Sequence, residues 1–196
     1  MFTTPRPSTL SRTLALVPPV VALVAQQANA GGLFLKVDVT SGPVITGESL
    51  DVKHSGWIEI MSMQAGIANP VTLSSSGGGI TPGKSTRSDL VVTKLLDRAS
   101  PQLFLGCAVG TRYPTVTLEL TTSNSDGASL TYYKITLTNV IVSSLTTSAG
   151  GERPTEAVSL SYEKITTDYY MVDSKGSVPT SPTTTATWNF ANNSTK

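Results

Sequence analysis

Val116, Leu118 and Leu120 alternate with Thr117, Glu119 and Thr121, and Val158, Leu160 and Tyr162 alternate with Ser159, Ser161 and Glu163. A period of two places successive side chains on opposite faces of an extended chain, so both segments are strands with one apolar and one polar face. A helix would scatter the same residues around its axis. Ile165 falls out of phase with the second series, which predicts a bulge or a face switch near Lys164. Further strand candidates are Leu33–Asp38, Trp57–Met63, Val71–Leu73, Leu90–Leu95, Tyr132–Val142 and the flanks of the two alternating series, Thr115–Thr121 and Ala157–Ile165. Gly, Pro, Ser and Asn separate them at the intervals expected of an antiparallel protein.

One segment has helical grammar. Ser100 offers an N-cap hydroxyl, Pro101 suits the first helical position, and Gly110 suits a left-handed C-terminal residue. Leu103 with Cys107, and Phe104 with Ala108, are spaced to share a face, so this short helix must dock on a sheet. The residues alone therefore give an all-β barrel or sandwich carrying one short α-helix at about 100–109.

The first 30 residues read as a cleavable export signal. Arg6 and Arg12 precede the apolar run Leu14–Ala25, and Ala28-Asn29-Ala30 is a small-x-small cleavage site, so the mature chain starts at Gly31. The apolar run is too short to span a bilayer and contains Pro18-Pro19, so the mature chain is expected to have no membrane span. Removing 30 of 196 residues leaves 166, and with both lost charges Arg, the balance moves from 14 basic and 13 acidic residues to 12 and 13. A net charge of −1 gives no footprint for nucleic acid. The domain is expected over 31–172, followed by a Thr/Ser-rich tail at 173–196 with Trp188 and Phe190 as anchors.

Site chemistry is sparse. Gly78–Ser85 matches the phosphate-loop pattern G-x-x-x-x-G-K-[ST], but Ser74–Gly77 before it is no strand and Thr86–Leu95 after it is no helix, so it reads as a flexible Gly/Ser loop. His54 is the only histidine and sits in a polar turn, without a G-x-S-x-G elbow anywhere, so it reads as a loop-packing or surface residue. Cys107 is the only cysteine and reads as a buried thiol. Asp168 and Asp173 form no dense carboxylate pair, and the sequons at Asn192 and Asn193 are weak signals. No catalytic residue, cofactor or metal is expected.

The order of segments resembles the haemolysin-coregulated protein (Hcp) family, the tube protein of bacterial type VI secretion systems. The matching pieces are Phe34–Asp38, Lys53-His54 with Trp57-Ile58-Glu59, Ser76–Gly79, Leu95–Ala108, Tyr133–Val140 and Pro154–Leu160. The resemblance implies a compact β-barrel of two packed antiparallel sheets with a flanking helix. It also implies a homohexameric ring, stacking of rings into a hollow tube, effectors in the lumen, contact with tip and sheath proteins, and no catalytic residues. In the family a long Gly/Ser loop projects toward the next ring. Here that loop is Val71–Ser88, with Ser75, Ser76, Gly77, Gly78, Gly79 and Lys84 as the stacking residues. The family's tube protein has no cleavable signal, so cleavage between Ala30 and Gly31 would place this chain in the periplasm or outside the cell. A secreted monomeric barrel used for binding or adhesion, through Tyr113, Tyr169, Tyr170 and Trp188, is the alternative reading.

Overall fold

The computed structural model describes residues 31–73, 79–124, 127–174 and 176–195. In chain order the elements are β1 (Leu33–Val37), β2 (Ile58–Ile60), β3 (Ser62–Gln64), β4 (Ile67–Ala68), β5 (Val71–Leu73), β6 (Ile80–Pro82), β7 (Thr86–Arg87), β8 (Leu90–Leu95), α1 (Ser100–Val109), β9 (Arg112–Ser123), β10 (Ser129–Ser148), β11 (Thr155–Tyr169) and β12 (Thr184–Asn189). The main sheet runs β2-β1-β9-β10-β11-β8-β3, with every neighbouring pair antiparallel.

The Trp57–Met63 run, expected as one strand, is two. β2 pairs with β1 and β3 pairs with β8, and between them Met61 N–H donates to Thr93 C=O at 2.7 Å. Because one short run changes partner midway, it joins the two ends of the sheet and rolls it into a nearly closed barrel. The alternating residues Val116, Leu118, Val158, Leu160 and Tyr162 all point into that barrel and are buried there with Leu35, Ile58, Leu90, Val92 and Leu137. Truncating any of these aliphatic side chains to Ala is expected to cost about 2–5 kcal/mol.

The phase change at Ile165 is a face switch and not a bulge. The β10–β11 register passes unbroken from Thr138↔Lys164 to Val140↔Tyr162. Asn139 lies between them at φ 52, the left-handed region, which rotates the pleat of β10. Its Nδ2 donates to Glu163 Oε2 at 2.7 Å, so both strands change face together. The register shifts in β10 fall instead at Thr131/Tyr133 and Val142/Ser144.

α1 ends as expected, with Gly110 at φ 68. Its start differs: Ala99 is the N-cap, no side chain caps the helix, and Ser100 turns inward. Gly106 is buried on the inner face, packed against the Tyr113 hydroxyl. The Thr/Ser-rich C-terminal stretch is also more structured than a tail, because Thr184–Asn189 pairs with Lys164–Tyr169 and extends the sheet beyond the end of β8. Trp188 lies opposite Ile165 and packs on the core together with Phe190.

Candidate functional site

Between β3 and β8 the chain leaves the barrel as a two-part hairpin. β4 pairs with β7 and β5 with β6, while Ser88 N–H donates to Gly66 C=O and Gly83 N–H to Pro70 C=O. From Gly66 to Leu73 this side of the arm is eight residues long, a contour of at most roughly 25 Å at strand rise. Asn69 Oδ1 accepts a second contact from Gly83 N–H at 3.0 Å, which pins the corner between the two parts. Ile67, Val71, Leu73 and Ile80 are 60–75 % exposed. An isolated two-stranded hairpin is marginal in water, and this one displays four large aliphatic side chains to solvent.

Gly79 and Lys84 lie on this arm, Gly79 beside Ile80 with φ 75 and Lys84 in the bend between β6 and β7. Ser75, Ser76, Gly77 and Gly78 lie outside the described residues, as does Ala30. The phosphate-loop match is resolved by geometry: residues 80–82 inside the pattern form β6, and β7, not a helix, follows Ser85. Gly31 lies against Thr121 of β9.

Two buried polar clusters brace the barrel. Lys94 Nζ, wholly inaccessible, donates to Glu156 Oε2 at 2.8 Å and Ser100 Oγ at 2.9 Å, and lies 2.8 Å from Asp97 Oδ1. This is where the Ser100 hydroxyl goes instead of capping: it accepts from Lys94 and from Asp97 N–H and donates to Glu156. Burial pushes the Glu156 carboxyl up, but the Lys94 and Ser100 hydrogen bonds and the Lys94 charge outweigh it, holding it below the usual carboxylate range. The cluster ties β8, α1 and β11 together.

His54 is the centre of the second cluster and is 2 % exposed. Nδ1 lies 2.7 Å from Asp51 Oδ1 and Nε2 lies 3.0 Å from Glu119 Oε2, while the ring stacks on Phe34 at 4.3 Å and meets Trp57 edge-on at 4.9 Å. Burial raises both carboxyls, and the His54 contacts, joined at Glu119 by Thr131 and Lys134 and at Asp51 by backbone N–H groups, bring both below their ordinary values. Both ring nitrogens are occupied by this packing role, so His54 is a loop-packing residue without access to a substrate.

Cys107 is half-buried against the core. Of the aromatic residues suggested for adhesion, Tyr113 is in the core, Trp188 and Tyr170 are half-buried, and Tyr169 alone is exposed. Among the described residues, no group of three or more His, Cys, Asp or Glu could hold a metal ion, and no helix is long and apolar enough to cross a membrane.

The contact that sequence reading missed is at the root of the arm. Arg87 lies with its guanidinium carbon 4.5 Å from the Tyr162 ring centroid and 5.7 Å from that of Phe190. No local pattern joins these three residues. Lys94 and Glu156 did carry a signal, since each occupies the inward phase of an otherwise apolar series.

Comparison with known proteins places these features. The family model described as "Type VI secretion system effector, Hcp" matches residues 34–169. Protein hcp1 of Pseudomonas aeruginosa is 31 % identical over 151 residues, spanning 76 % of this chain and 91 % of that protein. The crystal structure of Hcp1 from Salmonella typhimurium is 30 % identical with a TM-score of 0.64, covering 84 % of this chain and 97 % of that one. A structure described as a type six secretion system protein is 30 % identical with a TM-score of 0.74, covering 85 % and 100 %.

Proposed function

The chain belongs to the Hcp family of type VI secretion system proteins, and from that premise we propose that it is a non-enzymatic structural subunit that forms hexameric rings stacked into a hollow tube. The observation that carries this reading is the arm, whose Ile67, Val71, Leu73 and Ile80 side chains stand in solvent in the isolated subunit. Covering them against a neighbouring ring removes apolar surface from water without asking the barrel to change shape. A head-to-tail contact within the ring closes by rotation, and a second, different contact along the axis leaves the assembly open-ended. The lumen of such a tube carries effector proteins, and its ends meet tip and sheath components. The mature chain begins at Gly31 after export, and its net charge of −1 keeps repulsion between copies small.

The test is to replace residues 69–83 by a two-residue turn and to examine the purified protein by electron microscopy and analytical ultracentrifugation. Rings are expected to persist while stacks are lost, because a specific stacking contact needs at least about 1,000 Å² of buried surface and the arm supplies its apolar part. Stacks of undiminished length would refute the assignment of the arm.

A further inference from the structure

The two strands of the arm run on from β3 and β8, and its side chains meet the rest of the molecule at β11 and at the turn that ends β12. Ser85 Oγ, in the bend of the arm, donates to Asn193 Oδ1 at 3.2 Å. Two residues further along, the Arg87 guanidinium packs against the rings of both Tyr162 and Phe190, which themselves meet edge to face at 5.9 Å. Its Nη1 donates to Asp89 Oδ1 and its Nη2 to Ser161 Oγ, both at 3.3 Å. Phe190 and Asn193 are set by the end of β12: Phe190 N–H donates to Glu163 C=O at 2.9 Å, and Asn189 and Ser194 exchange backbone hydrogen bonds at 2.7 and 3.1 Å around Asn193, whose φ is 54.

We propose that β12 and its terminal turn form a clasp that sets the direction in which the arm leaves the barrel, with Phe190 and Asn193 as positioning residues acting through Arg87 and Ser85. The physical basis is that a projecting two-stranded arm magnifies any rotation at its root. The arm's own hydrogen bonds hold its strands to each other but say nothing about their angle to the barrel. The guanidinium is attracted to both ring faces it packs against, and the Ser85–Asn193 hydrogen bond adds a second attachment two residues earlier. The stretch beyond Tyr169 thus acts on the assembly surface, although it contributes no residue to the arm. For stacking, the clasp rests on the arm being the stacking element; for the arm's own order it does not.

The test is backbone amide exchange measured across Ile67–Ser88 in the mature chain. Phe190→Leu keeps an apolar side chain but removes the ring from Arg87. Asn193→Gly removes the acceptor from Ser85 and tolerates the left-handed backbone. Trp188→Phe, on the same strand but directed at the core opposite Ile165, is the control. The first two substitutions together are expected to speed arm exchange roughly tenfold while leaving β1 and β9 unchanged, and the control is expected to leave the arm unchanged. Should the double variant fail to fold, Phe190→Leu alone is read by the same criterion. Arm exchange within about twofold of the parent protein, or an equal acceleration in the control, would overturn the clasp. Stacks that survive removal of residues 69–83 would overturn the stacking assignment and leave this exchange result standing, so the two failures are distinguishable.

Discussion

Replacing Lys94 by Met tests whether the buried cluster braces the barrel. Lys94 Nζ has three partners within 2.9 Å, and two of them, Glu156 and Asp97, are carboxylates. Met fills the volume of the side chain but leaves both carboxylates buried without their counter-charge. Removing one partner of a buried ion pair costs about 3–5 kcal/mol. With a urea slope of about 2 kcal/mol/M, the unfolding midpoint is expected to fall by roughly 2 M. The deficit depends on pH in a defined direction. Glu156 has its folded-state pKa depressed, by Lys94 and Ser100 against the opposing effect of burial, so its contribution is present above the unfolded carboxylate value near ~4.3 and is lost as pH falls through the folded value. Without the ammonium the protonated carboxyl is favoured, so the gap between variant and parent is expected to narrow from pH 7 to pH 4. Adding Glu156→Leu to Lys94→Met is expected to recover part of the loss, since the two residues touch and their effects are not additive. Urea unfolding followed by tryptophan fluorescence and circular dichroism reads all three. A Lys94→Met deficit below about 1 kcal/mol at pH 7, or one that grows as pH falls, would refute the reasoning.

Three further substitutions probe the packing. Gly106→Ala would drive a methyl group into the Tyr113 hydroxyl, and since Tyr113 is buried in the core the helix must lift; a loss of about 1–3 kcal/mol is expected by urea unfolding, with Gly110→Ala, open in space but strained at φ 68, losing less. His54→Phe keeps the ring against Phe34 but removes the imidazole partner of Asp51 and of Glu119, which retain their backbone, Thr131 and Lys134 contacts, so a loss of about 1–3 kcal/mol is expected at pH 7, shrinking as those carboxyls are protonated at lower pH.

The strands that alternate cleanly, β9 and β11, and the helix closed by Gly110 were legible because one local rule decides each of them. What escaped was decided by partners distant in sequence. The break at Met61 exists because the two halves of one run pair with β1 and with β8, and nothing within Trp57–Met63 encodes that division. Ser100 sits at a capping position by local grammar, yet the buried Lys94 and Glu156 claim its hydroxyl. Thr184–Asn189 reads as a polar tail because half its side chains stay in solvent, and it becomes a strand only where the edge of β11 beyond β8 is open to it. The Gly and Ser content marked a flexible loop and the family resemblance implied that it projects, whereas the apolar display emerges only when Ile67 and Ile80 are seen exposed on paired strands outside the core.

The most direct measurement is electron microscopy of the purified mature chain, residues 31–196, over a wide range of concentration. Hexameric rings that join end to end into tubes as concentration rises are the expected result. A particle that remains strictly monomeric across the whole range would contradict the proposal that this barrel is a tube subunit.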